Sequence, residues 1–148
     1  MQADHNSLER LLGECELNYQ RLQELVPALR ARQGAANACV ADAPPLRLEV
    51  LDHGPYTTTL ELHQPHQNGS PWLSLPRMRI RAYHDARLAE VVCYQGEGRF
   101  NPRYPHPYPN RGMIRRDEKQ QVNFLLGEWL KLCLVRGYRF EAEEAVAD

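Results

Sequence analysis

The sequence predicts an α+β domain in which a four-stranded antiparallel meander is flanked by an N-terminal and a C-terminal amphipathic helix. Apolar residues recur every three or four positions near both ends of the chain, which is the spacing of a helix with one buried face. The middle of the chain instead alternates apolar and polar residues, as half-buried strands do. We expect both helices to cover one sheet face and to leave the other polar and solvated.

The first helix is predicted over about residues 6–32. Its apolar positions are Leu8, Leu11, Leu12, Cys15, Tyr19, Leu22, Val26 and Leu29. Pro27 lacks an amide hydrogen and disfavours helical geometry at Val26, so the helix should end or kink there. Residues 33–45 are small and rich in helix breakers, and they are interpreted as a connector.

Four strands are predicted at about residues 46–53, 56–63, 77–84 and 87–94. Gly54-Pro55 turns the first pair, and His84-Asp85 turns the second. Residues 64–72 form a loop, and residues 95–114 form a long proline-rich loop, a length that is uncommon unless the loop has a function or is disordered. The closing helix is predicted over about 117–136, with Gly137 as its left-handed terminus and an acidic tail at 138–148.

Bulk composition indicates an ordinary globular chain of one domain spanning residues 1–148, with 43% hydrophobic residues. The net charge of −1 argues against a nucleic-acid partner, which usually requires a basic footprint. The four cysteines are widely separated and predict neither disulfides nor a zinc site. Without an apolar leader or a membrane-length apolar run, we expect a reduced cytoplasmic location and no membrane association.

Three arginines alternate along the third predicted strand and should project from its outer face: Arg77, Arg79 and Arg81. Guanidinium groups suit phosphate or carboxylate because each can donate two parallel hydrogen bonds. The favoured alternative is a cross-strand ladder with carboxylates on the same face: Glu49, Glu61 and Glu90. A partial ladder that left one arginine unpaired would still provide an anion site.

The proline-rich loop interleaves basic and aromatic residues, which are Arg103, Tyr104, His106, Tyr108, Asn110 and Arg111, and Arg115 and Arg116 extend the positive charge to a helix start. Aromatic faces beside cations could stack on nucleic-acid bases, and helix amides could hold a phosphate. The alternative is an extended strap whose tyrosines pack over the sheet or a helix. The sequence leaves both interpretations open.

Two histidine patterns suggest chemical sites. His84 beside Asp85 is a candidate for a general base, but an aspartate at a tight turn is explained by its hydrogen bonds to nearby backbone. His63 and His66, with His53 and His106, could be assembled into a metal site. No definite third ligand is indicated on one element, so surface histidines are favoured and neither metal nor cofactor is predicted.

Several clusters together resemble the YqiB-like proteins of proteobacteria, a domain of unknown function. They are Cys15-Glu16, Asn18-Tyr19, Pro27, SLPRMRIRAYHDARLAEV from Ser74, PNRG at Pro109–Gly112 and RDEKQQVNFLLGEWLKLCLVRG from Arg116. The resemblance spans about residues 8–137. It implies no established reaction and no site residues. The proline-rich stretch at 102–107 and the acidic tail depart from the pattern.

The function predicted is therefore a cytoplasmic, non-enzymatic binding or regulatory domain. Its expected site comprises Arg79, Arg81, Tyr83, Arg103, Tyr108, Arg115 and Arg116, and its partner is a small anionic ligand, a nucleotide or an acidic protein surface. One alternative is a small enzyme that acts on a phosphorylated or acylated metabolite with His84 as base. Another is an RNA-binding module that uses the sheet and the loop. The sheet edges leave the oligomeric state open.

Overall fold

The computed structural model describes residues 2–64, 77–95 and 116–141, with the side chains of 2–7, 94–95 and 116–118 outside the description. The described elements are helix α1 (Gln2–Leu25), a 3-10 turn (Leu29–Ala31), strands β1 (Gly34–Ala38), β2 (Leu46–His53), β3 (Thr57–His63), β4 (Arg77–Tyr83) and β5 (Leu88–Gln95), and helix α2 (Arg116–Arg136). The predicted α+β class is confirmed. None of these described helices is long and apolar enough to cross a membrane.

The sheet has the strand order β1-β2-β3-β4-β5, and each neighbouring pair is antiparallel. The prediction of four strands is wrong, because β1 lies within the segment interpreted as a connector. Its sequence GAANA has low strand propensity and no apolar alternation. It forms a strand because it pairs continuously with β2, from Gly34 opposite Val50 to Ala38 opposite Leu46.

One buried cluster joins the sheet to both helices. On the sheet, Leu48 lies opposite Leu62, and Leu60 lies opposite Ile80. The helices contribute these members: Tyr19, Leu22, Leu25, Val122, Leu126, Trp129, Leu130 and Cys133. We call the sheet face that carries the leucines the inner face and the opposite one the outer face.

The helix ends follow local chemistry. Helix α1 ends at Leu25, two residues before Pro27, rather than near residue 32. Ala28 then takes a left-handed conformation, and the chain continues as the 3-10 turn. Helix α2 ends at Arg136, and Gly137 follows it in a left-handed conformation with φ 95°. The Gly137 amide donates to the Leu134 carbonyl at 3.1 Å and the Tyr138 amide to the Cys133 carbonyl at 3.0 Å, which together make a Schellman motif.

Candidate functional site

The strand register places the predicted arginines on the outer face. Glu61 lies opposite Arg79, and Thr59 lies opposite Arg81. In the pairing of β4 with β5, Arg81 lies opposite Glu90. Because side chains alternate along a strand, these groups project to the same side as the other outer residues: Arg47, Glu49, His63, Arg77 and Tyr83. The outer face therefore carries a concentrated set of charged side chains.

Two of the arginines share one carboxylate. Arg79 donates to Glu61 Oε2 through Nε at 3.1 Å and through Nη2 at 2.8 Å. Arg77 Nη1 lies 3.3 Å from Glu61 Oε1. The Glu61 side chain is only 12% exposed, whereas Arg77 and Arg79 are 46% and 45% exposed. This part of the predicted ladder forms, and it leaves two guanidinium groups at the surface around the largely buried Glu61 carboxylate, with the exposed Glu49 opposite Glu61 in the register.

Arg81 departs from the ladder. Its Nε donates to the neutral Thr59 hydroxyl at 3.2 Å, although Glu90 lies opposite it in the register. Glu90 instead accepts from the Tyr83 hydroxyl at 2.8 Å and pairs with Lys119 of α2 at 3.0 Å. Burial, followed by the Glu90 carboxylate, raises the pKa of Tyr83 above its usual value. The Tyr83 phenol is therefore neutral at pH 7.

The pKa of His63 reflects the charges at one end of the outer face. It lies directly opposite Arg47 in the sheet. Burial is the main cause that lowers the pKa of His63 below its usual value, followed by the positive charges of Arg77 and Arg47. The same positive charges that disfavour an imidazolium there would favour a bound anion, whereas the nearby Glu61 and Glu49 carboxylates act in the opposite direction.

The sequence placed other members of the predicted site outside the sheet. Arg103, Tyr108 and Arg115 lie outside the residues that the structure describes, and Arg116 begins α2 with its side chain outside the description. The structure thus brings together Arg79, Arg81 and Tyr83 on one face of β4 and gives no position for the remainder.

His84 is a buried residue with two hydroxyl partners. It is 7% exposed, and its Nδ1 lies 2.9 Å from the Tyr19 hydroxyl and its Nε2 lies 2.8 Å from Thr58 Oγ1. Burial lowers the pKa of His84, and the nearby Arg30 charge and His53 imidazole act in the same direction. Asp85 accepts a hydrogen bond from the Ala86 amide at 2.9 Å, as turn chemistry predicts. Because both ring nitrogens of His84 already have partners, this geometry does not present a base to a substrate.

No group of three metal-ligating side chains occurs within residues 2–64, 77–95 and 116–141. His66 and His106, which the sequence raised as ligands, lie outside those ranges. Burial raises the pKa values of Cys15 and Cys133 to about 12, so these two thiols stay protonated and unreactive at neutral pH.

A buried amide that sequence reasoning did not single out connects both helices to β5. Asn123 on α2 is fully buried, and its Oδ1 accepts from the Val91 amide at 3.0 Å. Its Nδ2 donates to the Lys119 backbone carbonyl at 2.8 Å. The backbone carbonyl of Asn123 accepts from the Asn18 side chain of α1 at 3.0 Å. In the sequence, the feature that could have identified Asn123 is its position beside the apolar residues Val122 and Leu126 of an amphipathic helix.

Comparisons with known proteins agree with the resemblance seen in the sequence. A family model described as "Protein of unknown function (DUF1249)" matches residues 21–139. The "Uncharacterized protein YqiB" of Escherichia coli strain K12 is 41% identical over 123 residues, which cover 83% of this chain and 85% of that protein. The YqiB protein of E. coli O157:H7 shows the same values. No solved structure matches the chain.

Proposed function

This chain belongs to the DUF1249 family of proteins of unknown function, and from that premise we propose that it is a non-enzymatic binding or regulatory domain that takes an anionic ligand on the outer face. The observation that carries the proposal is the pairing around β4. Arg77 and Arg79 share the one carboxylate of Glu61, while Arg81 Nε donates to the neutral Thr59 hydroxyl. Positive charge at the surface therefore exceeds the negative charge that directly contacts it.

Access to the outer face is the second support. The apolar residues of both helices and the inner face form one buried cluster, so we place both helices against the inner face. Among the described residues of the outer face, Arg77 and Arg79 are then partly exposed, whereas Thr59 is buried and Arg81 is half-buried.

The spacing on β4 indicates the kind of ligand. Alternate residues on a strand lie about 7 Å apart, and each guanidinium group can donate two parallel hydrogen bonds to a phosphate or carboxylate. Arg79 and Arg81 together would suit a ligand with two anionic groups, such as a nucleoside diphosphate, or a pair of acidic side chains on a protein. A cytoplasmic location remains part of this proposal and fits the free thiols of Cys15 and Cys133.

The test is a thermal-shift and calorimetric screen of the full chain against inorganic phosphate, nucleotides, sugar phosphates and acyl-coenzyme A. A ligand at 100 times its Kd should stabilise the fold by about 2.7 kcal/mol. We expect the double variant Arg79→Ala/Arg81→Ala to lose that stabilisation while circular dichroism shows an unchanged fold.

The matched control is Arg139→Ala, because Arg139 is an exposed arginine beyond α2 whose Nε lies 4.0 Å from the Glu141 carboxylate. It should bind as the wild type does. If the double variant retained every interaction of the wild type, the outer face would not be the binding site. If no compound in the screen binds, and a protein binds the wild type but not the Arg79→Ala/Arg81→Ala variant, the ligand is an acidic protein surface.

A further inference from the structure

A continuous chain of hydrogen bonds crosses one end of the inner face and links helix α1 to three strands. We call it the histidine chain, and its members in order are Gln23, Tyr19, His84, Thr58, His53 and the Arg32 carbonyl. Its donor–acceptor distances in the same order are 3.0, 2.9, 2.8, 2.9 and 2.7 Å. All five distances lie within the range of well-formed hydrogen bonds.

A bulge in β2 makes this chain possible. Val50 lies opposite Leu60 and Asp52 lies opposite Thr59, so Leu51 is an extra residue. The bulge shifts the alternation by one position and sets His53 opposite Thr58. Thr58 is fully buried, and the His53 imidazole bonds its hydroxyl. Bulges commonly re-aim a side chain in this way.

The backbone carbonyl at the end of the chain fixes every hydrogen along it. The Arg32 carbonyl can only accept, so His53 must carry a hydrogen on Nε2. In neutral His53, Nδ1 then accepts from the Thr58 hydroxyl, which has only one hydrogen to donate. The Thr58 oxygen must accept from His84 Nε2, and this leaves His84 Nδ1 to accept from Tyr19. Gln23 Nε2 completes the order by donating to the Tyr19 oxygen.

We propose that the histidine chain is a proton-controlled latch, which holds the C-terminal half of α1 against the ends of β2 and β3 and the turn after β4 only while the buried His84 imidazole is neutral. All hydrogens in the chain find an acceptor in that state. The latch is independent of ligand binding on the outer face, because its members lie at the opposite side of the sheet.

Protonation of His84 breaks this order. A proton on His84 Nδ1 would face the Tyr19 oxygen and displace the Tyr19 hydrogen toward Gln23, which is itself a donor in the chain. The Gln23 carboxamide must then turn its oxygen toward Tyr19, or a buried hydrogen bond is lost.

Two of the groups around His84 also oppose its protonation. The titratable and charged groups that face it are Tyr19 on α1, Arg30 in the 3-10 turn, His53 on β2, and Asp85 and Arg87 in its own turn. Arg30 and His53 oppose a positive charge on His84, and burial opposes it further. Asp85 favours the charge, but its carboxylate already accepts from the Ala86 amide.

The first test reads the hydrogen positions directly. Ring nitrogen chemical shifts of the full chain at pH 8 should show the ring hydrogen of both His53 and His84 on Nε2. A hydrogen on Nδ1 of either ring would overturn the derivation. Thr58→Val removes the shared hydroxyl at nearly constant volume, and it should release His84 to a mixture of tautomers.

The second test measures opening of α1. Amide exchange at Leu22, Leu25 and Val26, corrected for the intrinsic rate, should be faster at pH 5.5 than at pH 7.5. The increase should be about tenfold, since His84 becomes a free imidazole with a pKa of about 6.5 in the open form. Amides of Leu126 and Leu130 in α2 serve as the internal reference and should change less.

Two variants keep the result interpretable. Tyr19→Phe removes the link between His84 and α1, so its α1 amides should exchange faster at pH 7.5 and should no longer respond to acid. His63→Gln removes a histidine of the outer face and should leave the α1 response unchanged. Equal acceleration of α1 and α2, or loss of the α1 response in His63→Gln, would show that acid weakens the whole fold and not the latch.

Discussion

The Asn123 side chain offers the sharpest test of how the helices are attached to the sheet. Its Oδ1 accepts from the Val91 amide, which lies beside the irregularity where the β4–β5 register shifts, between Arg79 and Ile80. Asn123→Ala removes that acceptor and leaves the Val91 amide buried in the core. An unsatisfied buried amide costs about 1–3 kcal/mol.

Two smaller effects accompany the loss. Removal of the carboxamide leaves unfilled space between the helix and β5, which adds to the destabilisation. Alanine is a better helix former than asparagine by up to about 0.7 kcal/mol, which offsets part of it. We expect a net loss of about 2 kcal/mol, which lowers the Tm of a chain of this size by about 4–8 °C.

Urea unfolding monitored by tryptophan fluorescence, together with calorimetry, would measure the loss. Gln121→Ala is the matched control, because Gln121 is an exposed residue of the same helix two positions away. It should lie within about 0.5 kcal/mol of the wild type. If Asn123→Ala and Gln121→Ala had the same unfolding free energy, the Asn123–Val91 bond would not hold α2 to the sheet.

Three further predictions concern single positions and pH. Gly137→Ala should lose about 1–2 kcal/mol in urea unfolding, because φ is 95° there and no neighbouring atom lies within 4 Å to add a steric effect. Arg87 has φ 58°, and its guanidinium group lies 5.6 Å from the Tyr19 ring centroid. Arg87→Gly relieves the backbone strain that Arg87→Ala retains, so the glycine variant should be the more stable by about 1 kcal/mol in the same assay, and the reverse order would contradict this. His84 and His63 have lowered pKa values in the fold, so the stability they provide is present above about pH 6.5 and is lost as pH falls below it, by at most about 1.4 kcal/mol per pH unit for each histidine. A flat urea midpoint between pH 7.5 and 5.5 would be inconsistent with this.

Local sequence patterns determined the class of the fold and the two sheet faces. Period-two alternation separated Leu60 from Glu61 and Ile80 from Arg79, because neighbouring side chains on a strand point to opposite faces. Pro27 and Gly137 marked helix ends through their own backbone chemistry. These signals depend only on residues close in sequence.

The candidate site was predictable only in part. Sequence placed Arg79, Arg81 and Tyr83 on one face of β4, and the register agrees. It could not assign the carboxylates, because Glu61 and Glu90 were each free to pair with several cations. The cation with which each carboxylate pairs depends on the strand register and on the approach of Lys119 from α2.

The tertiary structure alone decided the features that join distant segments. Strand β1 exists because the edge of β2 pairs with a segment that has little strand propensity of its own. The bulge at Leu51 turns the His53 side chain to the inner face. Strict alternation along β2 would have placed it on the outer face. Partners such as Thr58 and His84, 26 residues apart, or Asn18 and Asn123, 105 apart, meet only after the chain folds, because burial leaves each polar group to find a partner within the core.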